Sequence, residues 1–233
     1  METELAALLG ISFQNPQLLA IAMTHRSLCA ESPDQAQGLP SNERLEFLGD
    51  AILNYLTASW LYHTFPEYSE GDLSAMRAAL VKRPALSRFA RSLHLGTYAR
   101  ISRNEESRAA RQRDAFLADL FEAVLGAIYL DQGIEVARTF VHPFLEQEAA
   151  HVLDTNTVVD HRTRLQRKLQ AQYGITPIYD TIDASGPDHK RLFTVAVLRN
   201  GEQIGVGSGS SKQAAAQEAA RLALETLERQ SNM

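Results

Sequence analysis

Residues 42–65 read NERLEFLGDAILNYLTASWLYHTF. Apolar side chains recur there at three- and four-residue spacing through Leu45, Leu48, Ile52, Leu53 and Leu56, which is the period of an α-helix. Its only charged residues are Glu43, Arg44, Glu46 and Asp50. At about 100° per residue, the three acids fall within roughly 60° of one another and form one acidic stripe on an apolar rod. A second stretch repeats the oddity: from Ala115 to Leu130 the only charges are Asp119 and Glu122, again three residues apart. Desolvating such carboxylates costs about several kcal/mol each unless something compensates. One solution is a buried salt-bridge network with Arg26, Arg44 or Arg77. The other is a divalent cation of the oxygen-ligand kind, Mg²⁺ or Mn²⁺. Zinc is disfavoured, because neither helix carries a His pair at ligand spacing. Spacing alone leaves both solutions open.

Outward from these stretches, the helical period holds up to about Glu148. Helices are predicted over Asn42–Thr64, Ser69–Lys82, Pro84–Leu93, Asp114–Asp131 and Ile134–His151, and Ser69 with Asp72 makes a capping box. A segment rich in Ser, Pro, Asp, Gln and Gly, Glu31–Ser41, reads as a loop. Residues 152–159 read as a linker between a helical domain over 1–151 and a second domain over 160–229. In the second domain the grammar changes. Arg162–Tyr173 is a helix. Ile178–Ala184, Leu192–Leu198 and Gln203–Val206 are strands, with turns at Gly186-Pro187-Asp188 and Asn200-Gly201. Ser210 or Ser211 caps a last helix over Lys212–Glu228. The fold class is therefore an all-α domain followed by a small α+β module of α-β-β-β-α order.

Of 233 residues, 45% are hydrophobic and 22% charged, which excludes disordered, collagen-like and coiled-coil classes. Cys29 is alone, so no disulfide framework or cysteine zinc site is expected, and a catalytic pairing with His25 is not favoured. No apolar run is long enough for a membrane span, and Glu2 and Glu4 without a Lys or Arg before Arg26 do not suit a targeting peptide. A cytoplasmic protein with no membrane partner is expected. The net charge of −5 hides a split: thirteen basic and twenty acidic residues precede Asp160, while ten basic and eight acidic residues follow from it. An acidic body joined to a mildly basic module suggests two tasks.

The run NERLEFLGDA over 42–51 resembles the signature of the ribonuclease III family of double-stranded RNA endonucleases. So do Thr24-His25-Arg26-Ser27, Phe65-Pro66, Glu70-Gly71-Asp72-Leu73-Ser74, Arg77-Ala78, Leu80-Val81 and Asp119-Leu120-Phe121-Glu122-Ala123. The resemblance implies that Glu46, Asp50, Asp119 and Glu122 are metal ligands, with Asp50 and Glu122 catalytic. Glu43 and Glu70 would support the catalytic valley, and Phe47 would be the dimer contact rather than a core aromatic. It implies Mg²⁺ as cofactor, with Mn²⁺ as substitute, and a homodimer whose two sites cut both strands. Products would carry 5′-phosphates, 3′-hydroxyls and short 3′ overhangs, in the processing of rRNA and mRNA precursors. Carboxylate-held Mg²⁺ suits that chemistry because it neutralises an anionic phosphodiester and activates water.

The C-terminal module resembles the double-stranded RNA-binding domain of bacterial members of that family. Asp160, Thr163, Leu165 and Gln166 match its entry helix, and residues 207–212, GSGSSK, match the turn into its last helix. By that resemblance Thr163, Gln166 and Gln170 would meet 2′-hydroxyls, and Pro187, His189 and Lys190 the next groove. Ser211 and Lys212 would face phosphates at a helix N-terminus. Lys212 is followed by Gln213, Ala214, Ala215 and Ala216 where the family commonly has further basic residues, which weakens phosphate attraction. Arg162, Arg164, Arg167 and Lys168 offer either compensation or a solvated helix face. Two other classes compete: a double-stranded RNA-binding regulator that seldom cuts, and an all-helical nucleotide pyrophosphohydrolase. Intact acids argue against the first. The second needs no RNA-binding module.

Overall fold

In the computed structural model, residues 2–106, 108–154, 161–187 and 191–231 are described. The chain divides into two compact units, Met1–Val152 and Leu153–Met233.

In order, the helical part comprises α1 (Glu2–Leu9), α2 (Pro16–Ala22), α3 (Arg26–Glu31), α4 (Pro33–Ala36), α5 (Glu43–Thr64) and α6 (Glu70–Leu80). Then follow α7 (Arg83–Ser92), α8 (Leu95–Tyr98), α9 (Arg108–Arg111), α10 (Asp114–Gln132) and α11 (Ile134–Asp154). The central element is α10, apolar almost all round and buried from Phe116 to Ile128 except at the half-buried Asp119 and Glu122, as a helix enclosed by others must be. It packs on α5, α7 and α2. Phe121 anchors an aromatic cluster with Phe89, Phe140 and Phe144, ring centroids 5.4 to 5.8 Å apart. The Ser69–Asp72 capping box is present, with the Ser69 side chain accepting from the Asp72 N–H and the Asp72 carboxylate accepting from the Ser69 N–H. The loop expected over Glu31–Ser41 is corrected in one respect: it contains the single helical turn α4. Pro33 starts that turn with its φ already set, and Gln37 ends it at φ 55°. At the other end, α11 continues through Val152–Asp154, the first residues of the stretch read as a linker. Residues 155–160 lie outside the described residues.

The C-terminal unit contains α12 (His161–Tyr173), β1 (Ile178–Ser185), β2 (Leu192–Arg199), β3 (Glu202–Gly209) and α13 (Lys212–Ser231). The strands form an antiparallel sheet in the order β1-β2-β3. Asn200 and Gly201 turn the β2–β3 hairpin at φ 52° and 84°, the positive angles that an Asn-Gly pair tolerates. Leu165 and Leu169 of α12, Val197 of β2 and Ala219, Ala223 and Leu227 of α13 share one buried core. The β3 strand runs to Gly209, so the Gly-Ser segment read as a turn is strand. A Cβ at Gly207 would lie 2.1 Å from the Ala219 nitrogen, so the glycine rows of β3 are where the sheet lies directly against the α13 backbone. Among the described residues, no helix is long and apolar enough to cross a membrane.

Candidate active site

The two acidic helices meet backbone to backbone. A Cβ on Gly49 of α5 would lie 1.8 Å from the Glu122 carbonyl oxygen, and one on Gly126 of α10 would lie 2.4 Å from the Leu45 carbonyl oxygen. This crossing falls within one turn of Glu46 on one helix and of Glu122 on the other. As a result, carboxylate oxygens of Glu46, Asp119 and Glu122 all lie within 4.8 Å of one another. Among the described residues, none of Glu46, Asp50, Asp119 and Glu122 forms an ion pair; Arg26 instead lies 3.6 Å from Glu43. The buried salt-bridge alternative therefore fails. Three oxygen donors from carboxylates, with no sulfur or imidazole among them, fit a hard divalent cation.

Burial raises all three carboxyls, and like charge adds to it at Glu122 and Glu46. Burial, then the charges of Asp50, Asp119 and Glu46, push the Glu122 carboxyl up to about 8, with Arg83 acting in the opposite direction. Glu46 is raised by burial, then by Asp119 and Glu43. Burial also raises Asp119, against relief from Arg83, His25 and Arg26. Without a cation, this cluster holds on to protons that a divalent ion would replace.

The remaining predicted residues divide. Asp50 stands outside the three-carboxylate set: it is exposed, and its Oδ1 accepts from Asn54 Nδ2 at 2.8 Å. Glu43 accepts from Ser41 Oγ at 2.9 Å and lines the same cleft as Glu46 and Asp119, a space of about 250 Å³ that is also walled by His25, Arg26, Asn42 and Phe116. Glu70, in the first turn of α6, accepts from Ser74 Oγ at 2.8 Å. Phe47 is 79% exposed on α5, so it is no core aromatic. With Ala51, Tyr55, Ala58 and Tyr62 it makes an apolar stripe along the outer face of that helix. Sequence reasoning did not single out Arg83, and it named the wall residue His25 only within the Thr24–Ser27 match and beside Cys29, with no role at the site. Arg83 belongs to a different helix, α7, and only packing brings its charge toward Asp119 and Glu122.

In the second unit Gln166, Gln170, Pro187 and Lys212 are exposed, and Thr163 is half-buried. Ser211 is the residue that caps α13, its Oγ accepting from the Ala214 N–H at 3.1 Å. His189 and Lys190 lie outside the described residues, as does Asp160. Of the basic residues on α12, Arg164 and Lys168 each lie 3.6 Å from Glu228, and Arg162 stacks on Tyr179 at 4.8 Å from the ring centre. They are partly spent inside the module. Arg167 is exposed.

Comparisons with known proteins supply the family. Residues 15–148 match the model of a ribonuclease-III-like family, and residues 161–227 match the double-stranded RNA binding motif. A nuclease domain carrying a carboxylate cluster, joined to such a motif, defines an endonuclease specific for double-stranded RNA. Ribonuclease 3 of Roseiflexus sp. (strain RS-1) is 49% identical over 225 residues, 97% of this chain and 95% of that relative. Ribonuclease 3 of Chloroflexus aggregans is 47% identical over 226 residues, 97% of each. The crystal structure of the nuclease domain of ribonuclease III from Campylobacter jejuni matches with a TM-score of 0.55 at 38% identity, over 62% of this chain and 93% of that one. A second structure of that domain, described for flexibility in the region involved in its dimer formation, gives 0.56 at 38% identity, over 62% and 96%. The chain belongs to the ribonuclease III family.

Proposed function

We propose that the chain is a Mg²⁺-dependent endonuclease that hydrolyses phosphodiesters of double-stranded RNA, with Mn²⁺ as a working substitute. Its products would carry 5′-phosphates, 3′-hydroxyls and short 3′ overhangs, which suits the processing of rRNA and mRNA precursors. The observation that carries this reading is the set of Glu46, Asp119 and Glu122 oxygens within 4.8 Å of one another. In this reading Glu46, Asp50, Asp119 and Glu122 hold the cation. Asp50 joins from the next turn of α5, and its charge already bears on Glu122. Asp50 and Glu122 are the catalytic pair, with Glu43 and Glu70 shaping the electrostatics of the approach. When bound, the cation supplies charge neutralisation at the phosphodiester and acidifies water. The chain's own contribution is a rigid frame: the Gly49–Gly126 crossing fixes where the carboxylates stand before substrate arrives.

The working unit would be a homodimer. Support comes from the stripe in which Phe47, Ala51, Tyr55 and Tyr62 are exposed and Ala58 half-buried, an apolar helix face that water does not favour. In the second unit Thr163, Gln166, Gln170, Pro187, His189, Lys190, Ser211 and Lys212 would read A-form shape. The proposed division of labour is catalysis over 1–151, a linker over 152–159 and RNA binding over 160–229, close to the matched ranges. The test is incubation with a long perfect RNA duplex. Cleavage is expected with Mg²⁺ and none with EDTA. Cutting of single-stranded RNA or duplex DNA with the RNA duplex intact would overturn the reading.

A further inference from the structure

His25 belongs to no set of predicted ligands, yet it forms part of the wall of the cleft that holds Glu46 and Asp119. Its backbone is fixed on both sides. The His25 N–H donates to the Arg100 carbonyl at 2.9 Å, and the next helix, α3, begins at Arg26 with His25 as its N-cap. The cap is made by the ring: Nδ1 accepts from the Ser27 N–H at 3.2 Å. A backbone N–H can only donate, so Nδ1 carries a lone pair and no proton. The Ser27 hydroxyl agrees with this. Its oxygen accepts from the Ser102 N–H at 3.1 Å and lies 2.8 Å from His25 Nδ1, so its own proton points at that lone pair. The ring proton is therefore on Nε2. Edge-on contact with Phe116, centroids 5.4 Å apart and planes at 78°, holds the ring in this orientation.

The result is a neutral imidazole whose single N–H is on the edge turned away from Ser27. Among the described residues, no hydrogen-bond acceptor meets Nε2. The charged lining of the cleft is Arg26, Glu43, Glu46 and Asp119, and the three acids offer only acceptors. An anionic substrate entering there needs fixed donors, and a donor with no partner of its own loses nothing by turning to the substrate.

We propose that the Nε2–H of His25 is a preorganised hydrogen-bond donor to a non-bridging oxygen of the scissile phosphodiester, with Ser27 setting its tautomer. This rests on the endonuclease reading above, and the experiments separate the two. Long-range ¹H–¹⁵N correlation spectra of the wild-type chain need no metal or substrate. They should show His25 protonated at Nε2 and bare at Nδ1 at neutral pH. A ring protonated at Nδ1 overturns the proposal even if the enzyme cuts duplex RNA normally.

His25→Asn supplies the second test. Asparagine keeps an oxygen acceptor for the Ser27 N–H, so the cap survives while the Nε2–H is deleted. Single-turnover cleavage of an RNA duplex in Mg²⁺ should fall about 10²-fold, the usual loss for one donor to developing charge. Mn²⁺ affinity, read by electron paramagnetic resonance, and duplex binding in EDTA should stay near wild type. An unchanged rate overturns the proposal. So does a loss of Mn²⁺ affinity, because His25 would then serve the carboxylates rather than the phosphate. Should His25→Asn fail to fold, Ser27→Ala is the second variant: it removes the hydroxyl at Nδ1 and the acceptor of the Ser102 N–H but keeps the residue-27 N–H that caps with Nδ1, so the spectra should still show the ring protonated at Nε2, and a ring protonated at Nδ1 overturns the proposal. A wild-type chain that does not cut duplex RNA refutes the endonuclease reading, while the spectra still decide the tautomer.

Discussion

Adding one methyl group to Gly49 tests whether the crossing of α5 and α10 builds the candidate metal site. In a helix interior, Gly→Ala alone is favourable by about 1 kcal/mol. Here the new Cβ would stand 1.8 Å from the Glu122 carbonyl oxygen and 2.6 Å from its carbon, whereas real Cβ atoms essentially never approach below 3.0 Å. The obstacle is backbone, so no side chain can swing aside and the helices themselves must part. Overpacking costs about 1–3 kcal/mol, and more when nothing yields. With the propensity gain subtracted, a net loss of about 2 kcal/mol is expected, which for a domain of this size lowers the melting temperature by about 4–8 °C. Parting the helices also moves Glu46 away from Asp119 and Glu122, so Mn²⁺ affinity should fall at least tenfold. Gly126→Ala, whose Cβ would be 2.4 Å from the Leu45 carbonyl oxygen, should act in the same direction. Gly71→Ala is the control. It sits in α6 with nothing closer than 3.9 Å, and it should raise the melting temperature slightly. Calorimetric melts and Mn²⁺ titrations of the three variants decide the matter. A Gly49→Ala chain that melts and binds Mn²⁺ like wild type refutes the claim that this contact sets the site.

Titration of Glu122 gives a stability prediction. Its carboxyl is raised from an ordinary 4.5 to about 8, so between those values the folded state binds a proton that the unfolded chain has released. The metal-free protein should therefore be most favoured at the acid end of this window and lose on the order of a few kcal/mol, less solvent screening, as pH rises through it. Melts in EDTA from pH 5 to 8.5 should show the decline, added Mg²⁺ should oppose it most at the alkaline end, and Glu122→Gln should flatten it. Glu122→Gln should also abolish cleavage while leaving duplex binding in metal-free buffer intact; filter binding showing lost affinity there would break the two-module reading. Lys212→Ala should weaken binding across all duplex sequences and reduce the salt slope by about one. Phe47→Asp puts a charge into the exposed stripe of α5, and sedimentation at micromolar concentration should find a monomer where the wild-type chain is expected to sediment as a dimer.

How much of this was legible in the sequence depends on which physical effect writes itself into residue spacing. Burial does: the apolar period of α5 and α10, and the isolation of Glu46, Asp50, Asp119 and Glu122 on those rods, are direct records of which face meets protein. Turn chemistry does as well, because Asn200-Gly201 and the Ser69–Asp72 box demand particular residues at fixed offsets. Contact across the fold leaves no such record. Nothing in the spacing of α5 separates Glu46, which converges with Asp119 and Glu122, from Asp50 one turn on, whose carboxylate turns to Asn54. Arg83 and His25 reach the site from other elements for the same reason.

Glycine is where the two kinds of information collide. In β3, Gly205, Gly207 and Gly209 look like a flexible run, and the resemblance places the last two of them in a turn. They alternate along the strand, and the missing side chains are what lets α13 come down onto the sheet: a Cβ at any of the three would lie within 2.7 Å of α13 backbone atoms. Gly49 and Gly126 do the same between two helices. The same residue that lowers local order at one level therefore permits the closest packing at the next. Period-two spacing in a strand, or one glycine on each of two apolar helices that also carry acids, is thus a signal of backbone approach rather than of a loop. In this chain that approach does two different jobs. It closes the core of the RNA-binding module, and it brings carboxylates from separate helices to one point, where no residue on either helix alone could assemble them.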